Sequence, residues 1–320
     1  MTIIVSVTNN LYSLLEVDRR VSAASLIGNN NANKVICLVL RDGIFNVSFT
    51  GLAHIDGISS DDWLAGVIMG RKFDRNTNFA ELASFSFGGS GCPPFLKGVL
   101  NRIDRAIREK AAKNHRFRQN YLEVAISGQK ADHGLLFKYL LIIRKPPKSD
   151  DLHYGRFDRF PNRISGRFNI YISGGWGERH PDITHSLVRK VSSEKEYKTT
   201  EALNRICGYL DEAVLEFSRR EISIGDDALR ISHLPGANYS KIEFIARSTS
   251  FKSPFLYGDD AGQAVQYNPW IISPGTRFPP QGMVGEPMKV HVNGQEFELA
   301  SAERQESTAP IMAILPMMRR

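Results

Sequence analysis

Short apolar runs alternate with clusters of turn-forming residues over the first fifty positions. The runs 3–7 and 12–17 are joined by a Thr-Asn-Asn segment, and the runs 34–40 and 44–50 by an Arg-Asp-Gly segment. Asn residues favour turns, and an Asp-Gly pair supplies the positive φ that a tight hairpin needs. The pattern therefore predicts two β-hairpins at the front of the chain.

Helical spacing replaces this pattern after residue 58. Ser59 or Ser60 is a candidate N-cap for a first helix, and a long basic helix starts near Pro94. Strand signals resume over segments 121–127, 137–144 and 167–175, helical signals over 182–191 and 199–220, and strand signals over 228–234 and 241–247. This order predicts an α+β fold with helices segregated from largely antiparallel sheets, and excludes a doubly wound parallel sheet.

The composition shifts toward Pro, Gly and Ser after residue 249. We therefore divide the chain into a main domain, 1–249, and a C-terminal extension, 250–320. Within the extension, segment 288–299 alternates around an Asn-Gly pair, which predicts a β-hairpin.

Composition narrows the class of protein. The 320 residues are 42% hydrophobic, enough for a sizeable core, and no run of about 18 apolar residues predicts a membrane span. No secretory leader is recognisable, so we expect a cytoplasmic protein with no membrane partner. The three cysteines share no CxxC spacing, which argues against a disulfide framework or a zinc site; we expect no metal and no cofactor.

Charge raises one further hypothesis. The formal charge is +7 with a pI near 9.3, and basic residues concentrate in segment 97–118. Apolar residues recur there at helical spacing, so an amphipathic helix with a solvated basic face explains the charge better than an RNA-binding module. We do not expect a nucleic-acid partner.

Three polar residues fall at equal intervals along the predicted hairpins. Thr2, Asp18 and Lys34 are each sixteen positions apart, with Asp18 ending the second run and Lys34 beginning the third. If these strands are neighbours, Asp18 and Lys34 would flank Thr2. A surface salt bridge and an ordinary strand threonine are the alternative explanation.

Such a grouping has a chemical use. Removal of Met1 would give Thr2 a free α-amine, which titrates near 8 and can act as general base toward the Thr2 hydroxyl. An ammonium at Lys34 would favour the alkoxide, and the Asp18 carboxylate would keep that ammonium charged and oriented.

The stretches "MTIIVSV", "EVDRRVS", "NKVICLVL" and "VSFTGLA" resemble the opening of proteasome β subunits and of the peptidase subunit of the bacterial two-component ATP-dependent protease. Both are N-terminal nucleophile (Ntn) hydrolases. The resemblance implies a four-layer αββα sandwich, with Thr2 as nucleophile and Asp18 and Lys34 as its partners. It further implies an oxyanion hole at the Thr50-Gly51 turn.

The resemblance is less complete in the second half of the chain. It implies a supporting serine after a later strand, for which "ISGGW" offers Ser173 or, by a stricter register, Gly174. It also implies an acid and a serine near the last helix, where Glu221 and Ser223 are available.

Three functions follow from these observations. The first is a threonine peptidase or amidase acting on peptides or small amides. The second is a non-catalytic scaffold with the same fold, and the third is the basic RNA-binding module. For the first two, the resemblance implies a homo-oligomer of the kind that forms a ring, and an ATPase partner if a ring forms.

Overall fold

The protein is described here by a computed structural model. It describes residues 2–9, 11–19, 21–23, 26–29, 32–73, 90–113, 122–130, 136–144, 153–157, 163–164, 168–173, 176–221, 223–225, 227–246, 266–280, 282–283 and 287–303. Over these residues the chain forms a mixed α/β structure with two large sheets and few helices.

The described helices are α1 (Ser60–Met69), α2 (Leu96–Lys113), α3 (Trp176–Arg179), α4 (Pro181–Ser193), α5 (Thr200–Arg220) and a 3-10 turn (Pro235–Ala237). Helix α1 begins after Ser59, whose hydroxyl accepts the Asp62 N–H, and it ends at Gly70 in the left-handed conformation. Thr199 caps α5 in the same way, by accepting the Ala202 N–H. No described helix is long and apolar enough to cross a membrane.

Eight of the described strands form the larger sheet: β1 (Ile4–Thr8), β2 (Ser13–Asp18), β12 (Arg163–Ile164), β13 (Phe168–Ile172), β14 (Ala228–Leu234), β15 (Tyr239–Ala246), β20 (Met288–Val292) and β21 (Gln295–Glu303). Their spatial order is β12-β13-β1-β2-β14-β15-β21-β20. Neighbours are antiparallel except β15 and β21, which run parallel.

The second sheet contains seven described strands: β5 (Val35–Leu40), β6 (Gly43–Gly51), β9 (Leu122–Lys130), β10 (Leu136–Arg144), β11 (His153–Phe157), β17 (Trp270–Ile272) and β18 (Arg277–Phe278). Their order is β11-β10-β9-β6-β5-β17-β18, and β17 runs parallel to β5. Two-stranded pairs complete the described strands: β3 (Val21–Ala23) with β4 (Leu26–Asn29), β7 (His54–Ile55) with β8 (Ile58–Ser59), and β16 (Gln266–Tyr267) with β19 (Gly282–Met283).

Both hairpins expected at the front of the chain are present, as β1-β2 and β5-β6. The second turns through the Asp-Gly pair, with Gly43 at φ 149°. A Cβ at Gly43 would lie 2.0 Å from the carbonyl oxygen of Gln129 on β9, so this turn requires glycine.

Strands β1, β2 and β5 are buried along their whole length because both of their faces are covered. In β1, Val5 and Val7 pack in a cluster with α4 and α5, whereas Ile4 points to a cluster shared by the two sheets. In β5, Ile36 packs in the cluster with α1 and α2, while Cys37 joins the shared cluster. Continuous apolar runs in these strands follow from this double burial.

The segment after residue 265 contributes strands to both large sheets. Strand β17 extends the seven-stranded sheet beside β5, and the hairpin β20-β21, which turns at Asn293-Gly294, extends the other sheet beside β15. Strands β17 and β21 of the predicted extension are therefore hydrogen-bonded to strands of 1–249. The division at 249 stays a prediction.

The basic helix α2 buries its apolar side against the seven-stranded sheet. On its polar side, Arg102 donates to the carbonyls of Ile68 and Gly91, and Lys110 contacts Asp56. Two of the basic side chains of this helix, Arg102 and Lys110, thus make contacts within the fold.

A buried polar chain connects the two sheets at His233. Its Nε2 lies 2.9 Å from Asn46 Oδ1 on β6, and its Nδ1 lies 2.6 Å from Ser240 Oγ on β15. Burial lowers the pKa of His233 to about 3. The ring is therefore neutral in the fold, donating one hydrogen bond and accepting one.

His233 predicts an acid-sensitive component of stability. Below about pH 6.5 the unfolded chain binds a proton at this histidine that the folded protein rejects until about pH 3. Stability should fall by up to about 1.4 kcal/mol per pH unit through that window. Urea unfolding at pH 7.0, 6.0 and 5.5 should show a shallower slope for His233→Gln than for the wild-type protein. Equal slopes would contradict this assignment.

Candidate active site

Thr2 lies two residues before the start of β1 and is 5% exposed. Its N–H donates to Thr50 Oγ1 at 3.1 Å. Its carbonyl oxygen accepts from Thr50 Oγ1 at 3.2 Å, from Trp176 Nε1 at 3.2 Å and, more weakly, from Ser173 Oγ at 3.4 Å. Side chains from β6, from the end of β13 and from α3 therefore fix the backbone of Thr2 on both sides.

Asp18 is fully buried at the end of β2. Its Oδ1 accepts the Ile3 N–H at 2.7 Å, and its Oδ2 accepts from Lys34 Nζ at 3.2 Å and from the Gly225 N–H at 3.0 Å. The strand register explains this position, because Val17 pairs with Ile4 and the next residue, Asp18, comes opposite Ile3. The carboxylate is thus held one residue from Thr2.

Lys34 precedes β5 and is 4% exposed. Its carbonyl accepts the Phe49 N–H at 3.1 Å, so it is held next to the strand end that carries Thr50. Asp18 and Lys34 are both withdrawn from water, and each lies within ion-pair distance of the opposite charge on the other. The structure therefore brings together the three residues that the sixteen-residue spacing singled out.

Ser173 directly follows β13 and is fully buried. Its hydroxyl accepts the Ile4 N–H at 2.8 Å, and its own N–H donates to the Ile4 carbonyl at 3.0 Å. The alternative candidate, Gly174, lies outside the described residues. Ser173 is thus part of the Thr2 environment through the backbone of residues 2 and 4.

Gly51 is the last residue of β6 and directly follows Thr50. It is exposed and has φ 107°, a conformation that residues with a Cβ rarely adopt. The predicted oxyanion turn therefore lies at the strand end that contacts Thr2.

The second half of the chain supports Asp18 through its backbone. The Gly225 N–H reaches Asp18, and the Asp227 carbonyl accepts the Arg19 N–H at 3.1 Å. Glu221, a candidate from the sequence, instead lies 2.9 Å from Nε2 of His180. Ser223, the other candidate, lies in the loop between Glu221 and Gly225.

Three contributors were missed by sequence reasoning. Thr50 was named only as part of the oxyanion turn with Gly51 and not for its hydroxyl, and Trp176 stands in "ISGGW", where Ser173 and Gly174 were the candidates. Gly225 acts through its N–H, which every residue except proline has, so its side chain gives no signal.

A surface groove of the described residues lies elsewhere. It has a volume of about 190 Å³ and is lined by residues of α4 and α5, among them Lys190, Tyr209 and Arg220. Its walls carry ion pairs between the two helices, such as Lys190 with Glu212. We assign the candidate site to Thr2, where buried charges and polar groups converge, rather than to this groove. Among the described residues, no three His, Cys, Asp or Glu side chains are grouped to hold a metal ion.

No protein-family model matches the chain, and no curated protein matches it either. Solved structures with some likeness include an Anbu (Gly-1) mutant from Hyphomicrobium sp. strain MC1, at 12% identity and TM-score 0.42, covering 73% of this chain and 82% of that one. Anbu (ancestral beta-subunit) from Yersinia bercovieri has 11% identity and a TM-score of 0.42, and the match covers 72% of this chain and 81% of that one. Eukaryotic HslV from Trypanosoma brucei has 12% identity and a TM-score of 0.37, and the match covers 72% of this chain and 98% of that one. Similarity this low carries no conclusion about activity.

The buried Asp18–Lys34 pair predicts a large effect on stability. Asp18→Asn removes the charge that faces the Lys34 ammonium and should cost about 3 to 5 kcal/mol, because breaking a buried ion pair is strongly destabilising. The double variant Asp18→Asn/Lys34→Met should recover part of that loss. Urea unfolding at pH 7 measures both.

The exposed pair Arg108–Asp104 on α2 provides the matched control. Asp104→Asn should change stability by about 1 kcal/mol or less, since water screens an exposed pair. If Asp18→Asn cost as little as this control, the Asp18–Lys34 pair would not be a buried ion pair in solution.

Proposed function

We propose that this chain is a threonine hydrolase that cleaves peptide or small amide bonds, with Thr2 as the nucleophile once Met1 has been removed. The observation that carries the proposal is the buried Asp18 carboxylate, which binds Lys34 Nζ and the Ile3 N–H directly beside Thr2. An ordinary strand threonine needs no such neighbours. The protein would then act as a peptidase in proteolysis, or as an amidase.

The proposed reaction uses one residue as both base and nucleophile. Loss of Met1 converts the amide nitrogen of Thr2 into an amine with a reference pKa near 8. The neutral amine takes the proton of the Thr2 hydroxyl while Oγ1 attacks the substrate carbonyl carbon. The resulting ammonium then protonates the departing amine, leaving an ester on Thr2. Water, deprotonated by the same amine, hydrolyses the ester and restores Thr2.

The surrounding groups supply the electrostatics of this reaction. The Lys34 ammonium favours negative charge on the Thr2 oxygen, and Asp18 keeps Lys34 charged and in place. We assign the oxyanion to the N–H of Gly51, at the strand end that already contacts Thr2. Ser173 completes the set by fixing the backbone of Ile4 and Thr2.

We further infer the layer order helices, sheet, sheet, helices. This is supported by one apolar cluster between α1, α2 and the seven-stranded sheet, a second between α4, α5 and the eight-stranded sheet, and a third between the sheets. The expectations of a homo-oligomeric ring and of an ATPase partner rest on the resemblance of the opening stretches.

A non-catalytic scaffold is the second candidate, and one contact favours it. Glu221, which the resemblance offers as a support for the amine, is bonded to His180 at the start of α4. A chain that had lost catalysis would have no need of a carboxylate at the amine.

Two measurements test the hydrolase. Intact mass should show that Met1 is absent, and an epoxyketone or β-lactone should label Thr2, because both reagents react with an N-terminal threonine. Thr2→Ala should abolish labelling and the hydrolysis of fluorogenic peptides, whereas Thr2→Ser, which keeps a hydroxyl and an amine, should retain both in part.

Retained Met1 would leave the nitrogen of Thr2 as an amide and would favour the scaffold. Peptide hydrolysis by Thr2→Ala at the wild-type rate would also rule out the proposed nucleophile. Unchanged unfolding of Thr2→Ala in urea is the required control for both outcomes.

A further inference from the structure

The Thr50 hydroxyl makes two hydrogen bonds to the same neighbour. It accepts the Thr2 N–H at 3.1 Å and donates to the Thr2 carbonyl oxygen at 3.2 Å, and Thr50 is 1% exposed. A threonine hydroxyl has one proton and two lone pairs. Because its proton is directed to the carbonyl, only lone pairs face the Thr2 nitrogen.

This arrangement determines what the nitrogen can do after Met1 is removed. An oxygen that only accepts binds an N–H of the amine and leaves the nitrogen lone pair free. The Thr2 carbonyl is also held by Trp176 Nε1 at 3.2 Å, so two donors keep this carbonyl beside Thr50.

Ser173 was the residue expected to support the nucleophile. In the structure its hydroxyl accepts the Ile4 N–H at 2.8 Å and contacts the carbonyl of Thr2 at 3.4 Å. The hydroxyl that bonds the Thr2 nitrogen belongs to Thr50.

We propose that Thr50 is a positioning residue for the Thr2 α-amine, whose N–H it accepts so that the nitrogen lone pair is directed to the hydroxyl of Thr2. This inference rests on the proposed function. It also has an electrostatic consequence, because an accepting oxygen stabilises an ammonium more than a neutral amine. Removing the Thr50 hydroxyl should therefore make the amine easier to deprotonate, and it should leave the nitrogen lone pair less well oriented toward the Thr2 hydroxyl.

The kinetic test compares Thr50→Val, which keeps the shape and removes the hydroxyl, with Thr50→Ser, which keeps the hydroxyl. Thr50→Val should lower kcat about tenfold with little change in KM, since one hydrogen bond that orients the base is lost. The acidic limb of the kcat/KM profile should move to lower pH, because that limb reports the base of the free enzyme. Thr50→Ser should restore both.

Ser48 supplies the matched control on the same strand. It is buried, and its hydroxyl donates to the Ala125 carbonyl at 3.1 Å without contacting Thr2. Ser48→Ala should leave the pH profile and kcat at wild-type values even if it lowers stability in urea. A shift in Ser48→Ala equal to that in Thr50→Val would show a general loss of strand packing and would overturn the proposal.

A second readout does not require peptide hydrolysis. Periodate cleaves a 1,2-amino alcohol, so an N-terminal threonine loses acetaldehyde and ammonia and becomes a glyoxylyl group, which mass spectrometry detects. The full chain beginning at Thr2 is released from a cleavable fusion, and the rate of this reaction against pH follows the unprotonated amine. Thr50→Val should shift the profile to lower pH, and Thr50→Ser should not.

The two readouts separate the two proposals. A wild-type protein that is active while Thr50→Val matches it in kcat and in both pH profiles would overturn the role of Thr50 and leave the hydrolase standing. Retained Met1 with no peptide cleavage would overturn the hydrolase. In that case the periodate profile on the fusion-derived chain would still decide whether Thr50 bonds the amine, with an unshifted profile in Thr50→Val counting against it.

Discussion

The Asp18 carboxylate joins three parts of the chain beside Thr2. One oxygen accepts the Ile3 N–H, and the other accepts Lys34 Nζ and the Gly225 N–H. These groups come from the first strand, from the start of the neighbouring sheet and from the loop after α5. Because a buried charge without partners is strongly unfavourable, the folded state has to keep all three in place. The position of Thr2 then follows, since it adjoins Ile3.

Hydroxyl and indole groups hold Thr2 itself. Thr50, Ser173 and Trp176 bond its backbone and leave its side chain outside these contacts. A residue fixed in this way loses little further freedom when it reacts, which is the physical basis of preorganisation. The stability of this end of β1 and the proposed chemistry therefore depend on the same hydrogen bonds. Local disorder at this strand end would affect both.

Local signals were sufficient for the elements with a strong pattern. The hairpins β1-β2 and β5-β6 follow from apolar runs separated by turn residues, and α1 and α5 follow from the helical spacing of apolar residues after residue 58 and over 199–220. The pairing of the last strands was not available from the sequence. Strand β17 lies beside β5, more than two hundred residues earlier, and β21 runs parallel to β15, because long-range pairing depends on which sheet edge remains open.

The sequence by itself determined the spacing of Thr2, Asp18 and Lys34, because the ends of a hairpin of known length return to one side of a sheet. It also indicated Ser173 and the Thr50-Gly51 turn through their resemblance to a known pattern. Only the tertiary structure decided which group does what. In the structure, Thr50 accepts the Thr2 N–H, and both Trp176 and Ser173 donate to the Thr2 carbonyl. The second oxygen of Asp18 accepts from the Gly225 N–H as well as from Lys34. The physical reason is that backbone N–H groups and short hydroxyls become specific through position alone, and position is set by packing across the whole fold.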